Sequence, residues 1–151
     1  MSVSFLRIDD RMIHGQTVTR WSLEYPCDGL IAVNDKAATT DALKMAYKSA
    51  STKKTFVWTL ADFAKKSQKV LDSDQKVLDS KDNYFLITKD PIQMKKILVD
   101  DGFVPSDVKK VIVGPCNDRP EAVKLGNNQS ITQEEAEALE AISKAGYEIE
   151  F

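Results

Sequence analysis

The chain has 151 residues, 42% of them apolar and 29% charged, with 21 Lys plus Arg against 23 Asp plus Glu. A chain of ~150 residues fits one domain and buries roughly two-thirds of its unfolded surface, and an apolar content this high excludes an intrinsically disordered chain. A formal charge of −2 excludes the basic footprint of a nucleic-acid binder, and no apolar run reaches the ~18–20 residues that cross a bilayer.

The opening residues, Met1 to Phe5, lack the basic and apolar regions of a signal peptide. Val3-Ser4-Phe5-Leu6-Arg7-Ile8 predicts a first strand, and Asp9 to Gly15 breaks its pattern. A helix is expected from about Gln16 to Tyr25, with Val18, Trp21, Leu23 and Tyr25 on its apolar face and Pro26 stopping it. Leu30-Ile31-Ala32-Val33 is a short apolar run of the kind a parallel sheet buries on both faces. Thr40 to Ser51 predicts a helix that turns Leu43, Ala46, Tyr47 and Ala50 inward, and Thr55 to Leu60 a further strand.

A third helix starts near Ala61 and runs into the one internal repeat, Gln68-Lys69-Val70-Leu71-Asp72-Ser73 echoed by Gln75-Lys76-Val77-Leu78-Asp79-Ser80. Two copies are too few for a solenoid, so the segment reads as a lengthened surface helix or a helix-turn-helix. Tyr84 to Thr88 is the next strand. Pro91 opens a helix to about Asp101, which Gly102 ends, and Val111-Ile112-Val113 gives a fifth strand. Between Ala122 and Ile131 one more short strand is an open possibility. Thr132 and Glu135 form a capping box for a helix through Lys144, after which Tyr147 to Phe151 returns as an edge strand. Alternating strands and helices predict an α/β fold, a mainly parallel sheet covered on both faces, within a single domain over residues 1–151.

In such a sheet ligands bind beyond the carboxyl ends of the strands, where the strand order reverses. The loop after the first strand lies on that edge and holds the only histidine of the chain, His14. A zinc site built on several histidines is therefore excluded, and the two distant cysteines, Cys27 and Cys116, form no metal-type pair and suit a reduced cytoplasmic setting. Arg7 to Gln16 gathers two arginines, two aspartates and the imidazole within ten residues. The helix start after the loop offers free amides and a positive dipole end to an anion. Arg11 supplies a planar fork for a phosphoryl group, and Gly15 lets the backbone approach closely. An imidazole whose tautomer is fixed by a carboxylate is a competent nucleophile near neutral pH. The same residues read equally as a solvated turn capped by Asp10. Walker-type, GxGxxG and GxSxG motifs are absent from the sequence. Trp21 and Trp58 read as core. Asn34-Asp35 and Gly114-Pro115-Cys116-Asn117 share the edge with His14, where turn residues are expected in any case.

Arg7-Ile8-Asp9-Asp10-Arg11-Met12-Ile13-His14-Gly15-Gln16 closely resembles the R-I-D-D-R-L-I-H-G-Q signature of IIB components of the mannose-family (mannose/fructose/sorbose) sugar phosphotransferase system. The resemblance continues through Thr17 to Trp21, Val33-Asn34-Asp35, Val111 to Gly114 and Gly146 to Ile149. It implies that His14 takes a phosphoryl group from a phosphohistidine on a IIA partner and gives it to a sugar imported by the membrane partners IIC and IID. It also implies an antiparallel edge strand, here the C-terminal one. Catalytic roles then fall on His14, Arg11, Asp9 and Asp10, and phosphate binding on Arg7, Arg11, Gly15 and Gln16, with Arg11 foremost.

No metal, nucleotide or other cofactor is implied, because phosphohistidine is already an activated donor and positioning with charge stabilisation suffices. The expected mechanism has Asp9, Asp10 or a backbone carbonyl holding one ring nitrogen while Nδ1 attacks in line, both aspartates facing away from the transfer axis. Three departures from the family pattern stand out: Gly114-Pro115-Cys116 where Gly-Gly-Met is usual, the repeat ending at Ser80, and an end at Phe151 without the longer tail of many members. The alternatives are a regulatory phosphoprotein of the same fold that never discharges to sugar, and a small enzyme using His14 as general acid or base on a phosphorylated metabolite.

Overall fold

The apolar runs of the sequence become the strands of one six-stranded sheet. The computed structural model describes residues 2–13, 20–71, 83–103, 105, 108–114, 123–124 and 130–150, the side chains of residues 2, 66–71 and 123–124 excepted. In chain order the sheet is formed by β1 (Ser2–Ile8), β2 (Gly29–Val33), β3 (Lys54–Trp58), β4 (Asn83–Thr88), β5 (Lys110–Val113) and β8 (Glu148–Glu150). A separate antiparallel pair, β6 (Val123–Lys124) and β7 (Ser130–Ile131), supplies the short extra strand that the turn-rich stretch had left open. Across the sheet the strands lie in the order β3-β2-β4-β1-β5-β8.

All five pairings of that sheet are parallel. The C-terminal strand is the edge strand, as expected, but it runs parallel to β5, with Val111 opposite Ile149, and the expected antiparallel edge is corrected. The reason lies in the connection. The helix α5 (Gln133–Lys144) carries the chain back along the sheet before β8 begins, and such a crossover returns a strand in its starting direction. Only a hairpin would have reversed it.

Two apolar layers sandwich the sheet. On one face Leu6, Ile8, Ile31, Val33, Tyr84 and Leu86 meet Phe63, Met94, Ile97, Leu139 and Ile142. Those partners come from α3 (Leu60–Leu71), α4 (Pro91–Lys95) with the wide turn Lys96–Asp100 that follows it, and α5. On the other face Phe5, Leu30, Ala32, Phe85, Ile87 and Ile112 are covered by Trp21, Tyr25, Leu43 and Tyr47. Here α1 (Asp35–Thr39) and α2 (Asp41–Ser49) do the covering, together with the helical residues 20–22. β2 is buried along its whole length, as its unbroken apolar run predicts. Each fully buried Leu or Ile contributes about 1.5–3 kcal/mol.

Three local expectations change. Leu23 does not join the face of Trp21 and Tyr25 but stands 85% exposed. Residues 21 and 25 are one helical turn apart, whereas 23 lies two steps on and points the other way. Ala46 likewise stays outside while Leu43, Tyr47 and Ala50 pack inward. The helix from Pro91 widens at Lys96–Asp100, where the Asp101 amide donates to the Lys96 carbonyl, five residues back. That widening turns the adjacent Ile97 and Leu98 into the core together. Residues 14–19 of the first expected helix and residues 72–80 of the repeat lie outside the described residues.

Candidate functional site

β1 lies between β4 and β5, and the connection that leaves β1 uses the opposite face of the sheet from the one that leaves β5. The segment after β1 packs Trp21 over Phe5, while the helix after β5 packs Leu139 and Ile142 on the other face. The carboxyl ends of β1 and β5 are therefore the place where the winding reverses, the usual position of a ligand crevice. Here the Asp9 amide donates to the Thr88 carbonyl at 2.9 Å, and the Gly114 amide donates to the Ile8 carbonyl at 2.6 Å. Three strand ends are thus tied together immediately before His14.

The turn that leaves β1 is built on Asp9, which is fully buried. Its Oδ1 accepts from the Arg11 amide at 2.9 Å, and its Oδ2 accepts from Arg7 Nη2 at 3.2 Å and Nε at 3.3 Å. The Met12 amide closes the turn on the Asp9 carbonyl at 2.9 Å. Met12 has φ 58°, a left-handed conformation that a residue with a Cβ rarely adopts. It is held there because its side chain and that of Ile13 are buried in the second apolar layer. A conformation of this kind costs of order 1 kcal/mol or more and persists only where surrounding contacts determine it.

The two arginines of the motif have different surroundings. Arg7 is buried against Asp9, and its Cζ lies 5.8 Å from the centroid of the Trp21 ring. Burial lowers its pKa from the ordinary guanidinium value, Asp9 acts in the opposite direction, and the charges of Arg11 and Arg20 add to the lowering. Arg11 keeps 49% of its side chain exposed, with Nε 3.7 Å from Asp9 Oδ1. Of the two guanidiniums it is the one more open to solvent. Arg20, with its Cζ 5.3 Å from the centroid of the Trp21 ring, adds a third cation, and Tyr47 brings a phenol whose pKa is raised by burial and then by Asp10 and Asp9.

Of the predicted residues, the structure brings Arg7, Asp9, Asp10 and Arg11 together at the end of β1, whereas His14, Gly15 and Gln16 lie outside the described residues. Both Asp9 oxygens are engaged by Arg7 and by the Arg11 amide. Arg7 is thus held on Asp9, while the Arg11 side chain stays about half exposed. Asn34 caps α1 by accepting from the Ala37 amide, and Asp35 accepts from the Leu60 amide, so both act as turn residues. Gly114 is at the site, whereas Pro115, Cys116 and Asn117 lie outside the described residues. Trp58 is core and Trp21 is partly so.

Tyr47 and Arg20 were missed. The helical spacing that put Tyr47 inward carries no sign of which sheet end it reaches, and Arg20 is one residue among 21 basic ones. Among the described residues no cluster of His, Cys, Asp and Glu is arranged to hold a metal, and no helix is long and apolar enough to cross a membrane.

A sequence model of the family described as "PTS system sorbose subfamily IIB component" matches residues 3–151. The chain is 26% identical over 155 residues to a PTS system fructose-specific EIIB component of Bacillus subtilis, covering 99% of this chain and 86% of that one. It is also 26% identical over 150 residues to a PTS system mannose-specific EIIAB component of Escherichia coli, covering 99% of this chain but only 44% of that longer protein. Among solved structures, the IIBSor domain of the sorbose permease from Klebsiella pneumoniae superposes with a TM-score of 0.82 at 22% identity, covering 99% and 86% of the two chains. An N-acetylgalactosamine-specific IIB component of Escherichia coli gives 0.78 at 21% identity, covering 97% and 90%. At these identities the structural likeness speaks for the fold alone.

Proposed function

Because this chain belongs to the sorbose subfamily of phosphotransferase-system IIB components, a family of phosphotransfer in sugar uptake, we propose that it is a cytoplasmic phosphocarrier whose relay atom is on His14. In this reading residues 1–151 act as one IIB domain. Nδ1 of His14 attacks the phosphorus of a phosphohistidine on a IIA protein. A new N–P bond forms as the donor's N–P bond breaks, and the donor imidazole leaves with the electron pair. In the second half the hydroxyl oxygen of a sugar, held by the membrane partners IIC and IID, attacks the same phosphorus. The His14–phosphorus bond breaks, and the hydroxyl proton is lost to a base on the acceptor side.

The observation that carries this reading is the division of labour in the turn before His14. Asp9, fully buried, is occupied by Arg7 and by the Arg11 amide, while about half of the Arg11 side chain remains exposed. Arg11 is thereby offered to the equatorial oxygens of a phosphoryl group, with the Gly15 and Gln16 amides as further donors. Asp9 and Asp10 act by charge and by holding the turn. Positioning and charge stabilisation suffice because the donor is already activated, so the reading calls on no metal and no nucleotide.

The experiment that tests the proposal follows phosphorus onward. The protein is charged from phosphorylated IIA, separated from it, and mixed with sugar and vesicles that carry IIC and IID. Discharge to the sugar, with loss of label from the protein, supports the relay. A phosphoprotein that keeps its label under those conditions contradicts the relay and favours a regulatory carrier of the same fold.

A further inference from the structure

Gly114 follows β5 directly, with its amide bonded to the Ile8 carbonyl of β1 and its missing side chain facing Arg7. A Cβ built at Gly114 would lie 2.5 Å from Arg7 Nη2, 2.8 Å from Cζ and 3.1 Å from Nε. The first two distances are shorter than any ordinary carbon contact. The obstacle is the end of a flexible side chain, so a methyl group there can be accommodated if Arg7 moves. Arg7 is not free to move at no cost, however, because the same two nitrogens bond Asp9 at 3.2 and 3.3 Å and Trp21 lies beside the guanidinium. Nor can the backbone of Gly114 retreat easily, since its amide is bonded to the Ile8 carbonyl. Whatever displaces Arg7 therefore disturbs Asp9, and Asp9 in turn holds the Arg11 amide.

We propose that Gly114 is a positioning residue for the phosphoryl-transfer site: its lack of a Cβ is what lets the Arg7 guanidinium seat on Asp9, and through Asp9 it sets where Arg11 stands. The inference rests on the phosphocarrier reading for its effect on rate, but not for its geometry. It makes β5 a working part of the site, although Gly114 need never touch substrate. It also separates this glycine from a turn glycine, since the requirement is clearance for a neighbour's side chain.

The test is a double-variant cycle of Gly114→Ala and Arg7→Lys, read in two ways. Lysine keeps a cation opposite Asp9 but lacks the planar head that the new methyl group would strike. The first reading is the rate of phosphoryl uptake from phosphorylated IIA. Gly114→Ala is expected to slow it about tenfold or more, as small misplacements in a positioned site do. Adding Gly114→Ala to Arg7→Lys should then cost less than threefold further, the non-additivity of groups in contact.

The second reading needs no transfer: the Arg7 Nε–H and Arg11 backbone amide resonances, both of carboxylate-bonded donors, should move in Gly114→Ala. If that variant alone fails to fold, folding of the double variant supports the proposal, and failure of both overturns it. Additive rate effects, or unmoved resonances in a folded Gly114→Ala protein, also overturn it. A wild-type chain that takes no label from IIA sinks the phosphocarrier reading and leaves the resonances to decide this one.

Discussion

Among the described residues two carboxylates are buried, Asp9 and Glu135, and both accept from a nearby backbone amide. Glu135 closes a local device. Its Oε1 accepts from the Thr132 amide at 2.9 Å while its own amide donates to the Thr132 hydroxyl at 3.2 Å, so the capping box is complete within four residues of chain. Asp9 instead binds a guanidinium from the strand before it, shapes the turn after it, and shares that guanidinium's space with Gly114 on another strand. A carboxylate bonded to the amide at the start of its own helix supports that helix. One satisfied by cations from different elements fixes where those cations stand, and here it leaves Arg11 half exposed, three residues before the only histidine of the sequence.

The contrast is broken most severely at Asp9. Asp9→Ala leaves the Arg7 guanidinium buried without a counter-charge, and removing one partner of such a pair costs about 3–5 kcal/mol. Urea unfolding should show a loss of that order, and a loss below about 1 kcal/mol would mean that solvent reaches Arg7. Arg11→Ala should divide the two properties. Its ion pair is half exposed, so the unfolding midpoint stays near that of the wild type. Phosphoryl uptake should nevertheless fall about 10²-fold, the usual cost of losing a donor to developing charge. Equal losses in folding and transfer would make Arg11 a structural residue. The smallest effect belongs to the local device: Thr132→Ala should cost about 1 kcal/mol of stability, with the rate of transfer unchanged. A slowed rate there would show that the two carboxylates are coupled.

What could be read from the sequence follows the same division. The capping box, Pro91 as the first residue of its helix, and the left-handed glycines Gly102 and Gly146 that end helices are local devices, and the structure has each where the sequence puts it. The order and direction of strands are not local. A three-residue edge strand such as Glu148–Glu150 carries no mark of its neighbour's direction, and only the length of the helix before it argues for a parallel return. The irregularity between Val3 and Phe5 in the β1–β4 register also leaves no sequence signal, since Ser4 looks like any alternating polar residue. At the site, the clustering of Arg7, Asp9 and Arg11 was plain in the motif. That Arg7 would face inward and Arg11 outward was not, because it depends on Trp21 and Gly114, which approach from other elements.

The most direct measurement of the central claim is label transfer from phosphorylated IIA to the wild-type protein and to His14→Gln. With a single histidine in the chain, no other imidazole can substitute. The account predicts an acid-labile, base-stable label on the wild type and none on the variant. Label retained by His14→Gln, or a wild-type label that survives acid, would place the phosphorus on another residue and contradict it.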